Sequence, residues 1–91
     1  MANIFTTIQR KINRDEFDFL RHALFELAEE NFSLSDAIAV ILKPSNRFPF
    51  VDDETHFRYC FEGYAKDGRM LAVIVFIQQG RVKIKTGYEI K

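Results

Sequence analysis

The stretch MLAVIVFI, Met70 to Ile77, decides the fold. An unbroken apolar run of this length, bounded by turn residues, predicts a strand buried on both faces at the centre of a sheet. Asp67-Gly68 precedes it as a two-residue hairpin turn, because Gly accepts positive φ, and Gln78-Gln79-Gly80 turns the chain again after it. On either side lie alternating segments. From His56 to Tyr64, Phe57, Tyr59 and Phe61 alternate with Arg58, Cys60 and Glu62; from Arg81 to Tyr88, Val82, Ile84, Thr86 and Tyr88 fall on one face and Arg81, Lys83 and Lys85 on the other. Arg47 to Val51 contains Pro49, which restricts it to an edge strand, and Asp52-Asp53-Glu54 turns into His56.

Before Pro44 the spacing is helical. Ala2 to Asn13 sets Phe5, Ile8 and Ile12 on one face, with Ile4 beside them. Asp15 to Glu30 reads as one helix, with Leu20, Ala23, Leu24 and Leu27 as its apolar stripe and Asp18, His22, Glu26 and Glu29 opposite. Asn31 can close that helix. Ser33, followed three residues later by Asp36, caps a third helix whose Leu34, Ala37, Ile38 and Ile41 face inward until Lys43-Pro44 stops it. The expected fold is α+β, with the N-terminal helices packed on one face of a small antiparallel β-meander.

Ninety-one residues fit a single domain spanning 1–91, and 47% hydrophobic content with ten Phe supplies a core and excludes a disordered chain. No apolar run approaches the roughly 18 residues of a membrane helix, and the first residues do not read as a secretory leader, so the expectation is a cytoplasmic protein away from the membrane. Cys60, the single cysteine, allows no internal disulfide and reads as a small core residue. Net charge is zero, but unevenly spread: residues 1–14 carry +3, residues 15–57 carry −7 and residues 58–91 carry +4. Phosphate binding would therefore need a local basic surface.

Motifs for phosphate loops, metal sites and nucleophile elbows are lacking, and no cofactor is expected. What could carry chemistry is short. His22 has Asp18 four residues before it and Glu26 four after. It suits acid/base work, although helical phase turns it away from the apolar stripe and predicts an exposed ring. His56 reads as a solvated strand-end residue. Thr86 and Tyr88, continuing the face of Val82 and Ile84, would lie at the core rim on the helix side. The Arg81, Lys83 and Lys85 stripe suits a phosphate backbone, but no aromatics interleave with it, which leaves base stacking little support.

From Ile8 to Tyr88 the order of features resembles the small bacterial domain-of-unknown-function family 4258. The matching stretches are IQRKINRDEFDFLRHALFEL, SLSDAIAVILK, KDGRMLAVIV and VKIKTGYE, with the His22-Ala23 pair and the closing Thr86-x-Tyr88 the most specific. That family is similar to the RelE and BrnT type toxins, small α+β ribonucleases of toxin–antitoxin modules. The resemblance implies a RelE-like outline and a site in which His22 is the acid/base. It places Thr86 and Tyr88 near the reacting phosphate, with Arg58, Lys83 and Lys85 as electrostatic supports. RNA and an antitoxin or other protein are the implied partners. Members often carry Arg where this chain has Glu26 and Glu30, and a second His where it has Ala72. The function expected is a toxin-like RNA-binding or RNA-cleaving domain. The alternative, from a different class, is a catalytically inert protein-interaction module that uses its acidic helix.

Overall fold

The computed structural model describes residues 3–53 and 56–91, with side chains described outside 51–56. The elements are α1 (Ile4–Asn13), β1 (Phe17–Phe19), α2 (Arg21–Glu29), α3 (Leu34–Leu42), β2 (Asn46–Asp53), β3 (His56–Tyr64), β4 (Met70–Gln78) and β5 (Arg81–Glu89). They form an α+β fold whose sheet runs β1-β5-β4-β3-β2. β4 is central, as its apolar run requires, and Leu71 to Val75 are all buried. β2, which contains Pro49, is at the edge. The β4–β5 hairpin turns through Gln79 and Gly80, both at positive φ (52° and 76°), the geometry that matches the twist of paired strands. Asp52 and Asp53, expected in a turn, instead continue β2 to its end, while Glu54 and the side chain of His56 lie outside the described residues.

The helices α1 and α3 begin and end where their capping residues dictate. Asn3 accepts the Thr6 amide at 2.9 Å to start α1, and Ser33 and Asp36 form a reciprocal capping box at the start of α3. Asn31, at φ 60°, turns the chain out of α2, and Phe32 N–H returns to the Leu27 carbonyl at 2.8 Å. Ile8, Ile12, Ala23, Leu27, Ala37, Val40 and Ile41 pack against Phe61, Leu71, Val73, Val75, Val82 and Ile84. This is the main core. Leu34, in the first turn of α3, is exposed, and Val40 fills the inward position instead. No helix is long and apolar enough to cross a membrane among the described residues.

The single helix expected over Asp15 to Glu30 is replaced by a strand and a shorter helix. Asp15 takes φ 60°, Phe17–Phe19 pairs in parallel with Val82–Ile84, and α2 starts only at Arg21. Long-range bonds outweigh the local helical spacing here. Val82 N–H donates to the Glu16 carbonyl and Leu20 N–H to the Ile84 carbonyl, both at 3.0 Å. The Asp18 carboxylate accepts from Lys83 Nζ at 2.6 Å and from Arg81 Nε at 2.9 Å. With the helix shortened, Leu24 is 41% exposed, and Ala23 and Leu27 are the α2 residues that enter the core.

The hydrogen bonds from Arg81, then those from Lys83, hold the Asp18 carboxyl well below its usual range. A depressed carboxyl contributes stability that is present above its unfolded value, near 3.8, and is lost as pH falls through the folded value. Asp18→Asn is therefore expected to lower stability fully above about pH 4 and progressively less as pH falls below it, which flattens the acid limb of the stability profile. Urea midpoints measured across acidic pH check this.

A bulge in β5 reverses the expected placement of Thr86 and Tyr88. Val75 pairs with Ile84 but Ile74 pairs with Thr86, so Lys85 is an extra residue and the side-chain alternation changes phase after it. Val82 and Ile84 face the helices. Beyond the bulge it is Gly87 that faces them, where an added Cβ would sit 2.8 Å from Leu27 Cδ2. Thr86 and Tyr88, paired with Ile74 and Ala72, turn to the opposite face of the sheet. There Cys60, Ala72 and Ile74 form a second small cluster with Phe48 and Ile90, to which no helix contributes.

Candidate functional site

The two parts of β5 are paired along the same edge by different means. Upstream of the bulge, β1 satisfies the edge as a strand. Downstream, α2 lies alongside and its carboxylates take the place of a strand. Glu26 Oε1 accepts the Gly87 amide at 3.3 Å and Glu30 Oε2 accepts the Glu89 amide at 2.8 Å. Glu26 also accepts the Thr86 hydroxyl through Oε1, and its Oε2 lies 3.2 Å from His22 Nε2, one turn back on the same helix. His22, Glu26 and Thr86 thus form a connected row at the margin of the helix-free face.

Four of the six residues expected to carry the site converge beside this row. His22, Arg58, Lys85 and Thr86 line one open cavity of about 240 Å³ together with Phe50 and Ile74, and no carboxylate lines it among the described residues. The His22 side chain is 69% exposed, as its helical phase predicts. It nevertheless reaches the strand end, because α2 flanks the sheet edge rather than crossing the sheet face. Arg58 reaches the cavity from β3. Its guanidinium lies 4.3 Å from the centroid of the Phe76 ring, and its Nε is buried without a hydrogen-bond partner among the described residues. A larger cavity that Arg58 also lines, with Ile4, Phe57, Tyr59, Phe76, Ile77 and Gln78, has no second charged group among the described residues.

Lys83 and Tyr88 lie elsewhere. The Lys83 ammonium is held by Asp18, which also binds Arg81. Tyr88 lines a separate small hollow with Glu26, Glu29 and Glu30. Burial raises its phenol above the ordinary value, with smaller contributions from Cys60, Glu62 and Glu26. Burial likewise pushes the Cys60 thiol up to about 11, so this 2%-exposed residue is a packing group and not a nucleophile. No group of three or more His, Cys, Asp or Glu residues converges as a metal site among the described residues.

The sequence reading missed two members of the site. Glu26 appeared there as a neighbour of His22 and as part of an acidic surface, but its bonds to the Thr86 hydroxyl and the Gly87 amide are visible only in the fold. Phe50 gave no signal, since its place in the cavity depends on the pairing of Phe50 with Arg58 across β2 and β3.

No curated protein matches the chain. Residues 19–89 match the family model described as Domain of unknown function (DUF4258), a span that takes in α2 with His22, α3 and all of β2 to β5. The chain belongs to the DUF4258 family.

Proposed function

We propose that the helix-free face is the site of a toxin-like, RelE-type domain that binds the RNA backbone and cleaves it with the 2′-hydroxyl as nucleophile. The observation that carries this reading is the convergence of His22, Arg58, Lys85 and Thr86 on one open cavity. Bonded to Glu26 Oε2 through Nε2–H, a neutral His22 keeps its lone pair on Nδ1. Nδ1 takes the proton of the 2′-hydroxyl while the 2′-oxygen bonds to phosphorus. The bond from phosphorus to the 5′-oxygen breaks, the departing oxygen takes a proton from solvent, and a 2′,3′-cyclic phosphate remains. Arg58 and Lys85 act on the charge that develops on the phosphoryl oxygens. Thr86 acts through Glu26: its hydroxyl bond fixes the carboxylate that orients the imidazole, which makes it a positioning residue. Lys83, held by Asp18, and Tyr88, in its separate hollow, have no part in the step.

The acidic-helix alternative retains less charge than the sequence suggests. Glu26 and Glu30 turn their carboxylates to the β5 backbone, which leaves Glu29 as the exposed acid of α2. A 5′-labelled single-stranded RNA incubated with the purified chain is expected to yield fragments ending in 2′,3′-cyclic phosphate. Intact RNA, with growth unaffected when the wild-type chain is produced in cells, would transfer the assignment to the protein-binding class.

A further inference from the structure

We infer that the ring of Phe50 is a nucleobase-stacking position beside the phosphate site, so that the RNA accepted is single-stranded. The inference rests on the reading of the helix-free face as an RNA site and adds the form of RNA that it takes. Phe50 lines the same cavity as His22, Arg58, Lys85 and Thr86, yet is 40% exposed. It sits on an edge strand directly across from Arg58, in register. The neighbouring surface already holds one stack of the required kind, the Arg58 guanidinium over Phe76. A planar base laid on the exposed Phe50 ring would have Arg58 and Lys85, which line the same cavity, beside its phosphate. Charge favours the same occupant, because Arg58 and Lys85 line the cavity and no carboxylate does so among the described residues. A base in a duplex has its faces covered by its neighbours, so a stacking ring of this kind accepts unpaired nucleotides and is indifferent to their sequence. The bulge at Lys85 makes this possible: by turning Thr86 across the sheet, it places the polar group of β5 on the same face as Phe50, Arg58 and Phe76.

The test uses the full chain and a fluorescent 2′-O-methyl octanucleotide, in which the nucleophile is blocked so that binding is read without cleavage. Phe50→Ala is expected to weaken single-strand binding about tenfold or more, and Phe50→Leu, which keeps bulk but not the π face, nearly as much. Phe50→Tyr should bind like the wild type, and a 2′-O-methyl duplex of the same sequence should bind more weakly than the single strand. Urea midpoints of the three variants establish that each is folded; Phe50→Leu carries the test if Phe50→Ala is not. Binding that is unchanged in Phe50→Leu, or equal for duplex and single strand, while Arg58→Ala still abolishes it, overturns the stacking position and leaves the phosphate site intact. Absence of wild-type binding at low salt overturns both.

Discussion

Phe61→Ala is expected to destabilise the fold by about 3–5 kcal/mol, the range for truncating a fully buried aromatic whose cavity cannot collapse. Phe61 has no exposed surface, pairs with Val73 of the central strand and meets the Phe5 ring edge-on at 5.7 Å between centroids. It therefore joins α1 to the sheet, and removing it takes contacts from both layers at once. Leu24→Ala provides the contrast. The sequence places Leu24 in the inward stripe of its helix, but at 41% exposure its loss should stay near the half kcal/mol or so that is usual for surface positions. Urea denaturation midpoints of the two variants decide between these placements. Equal losses would show that α2 packs through Leu24 after all and would undo the account of α2 at the sheet edge.

His22→Ala is expected to lower the rate of RNA cleavage by about 10²–10⁴-fold, the contribution of a positioned general base. Stability should hardly change, because the ring is largely exposed and Glu26 keeps its bonds to Thr86 and Gly87 without it. The two readouts together separate a catalytic role from a structural one. Loss of activity in step with loss of folding would mean that His22 serves the helix, and retained cleavage in a folded variant would remove it from the reaction.

The parts of this fold that were legible in the sequence are those specified by local chemistry. The apolar run from Met70 to Ile77 marks a central strand whatever its partners, and Gly80, Ser33 with Asp36, and Pro49 fix a turn, a cap and an edge through their own backbones. Gly68, by contrast, marks the place of the β3–β4 turn but not its length, which is five residues from Ala65 to Arg69 instead of two. Phe17–Phe19 was not legible, because the period of two lasts only three residues and its reward comes from Val82–Ile84, more than sixty residues away. Leu20, Ala23, Leu24 and Leu27 then extended an apparent helical stripe back across it. The bulge at Lys85 was equally hidden, although Gly87 inside a strand is the type of residue that marks a bulge or a close approach.

These two features are what relocate the candidate site. Without β1, α2 would begin earlier and cover the sheet. Without the bulge, Thr86 would face the helices, and the aromatics Phe50 and Phe76 would lie on the face away from it. The sequence supplied His22, Arg58, Lys85 and Thr86 as candidates, but which face they share was decided by one extra residue in one strand.

The central claim is that RNA meets this protein on the helix-free face, at the margin between α2 and β5. Backbone amide shifts of the ¹⁵N-labelled chain, followed while the 2′-O-methyl octanucleotide is titrated in, test it most directly. The account predicts the largest changes at His22, Phe50, Arg58, Ile74, Lys85 and Thr86, with α1 and α3 little affected. Changes confined to the helical layer, around Arg10, Lys11 and Arg14 or along α3, would contradict it.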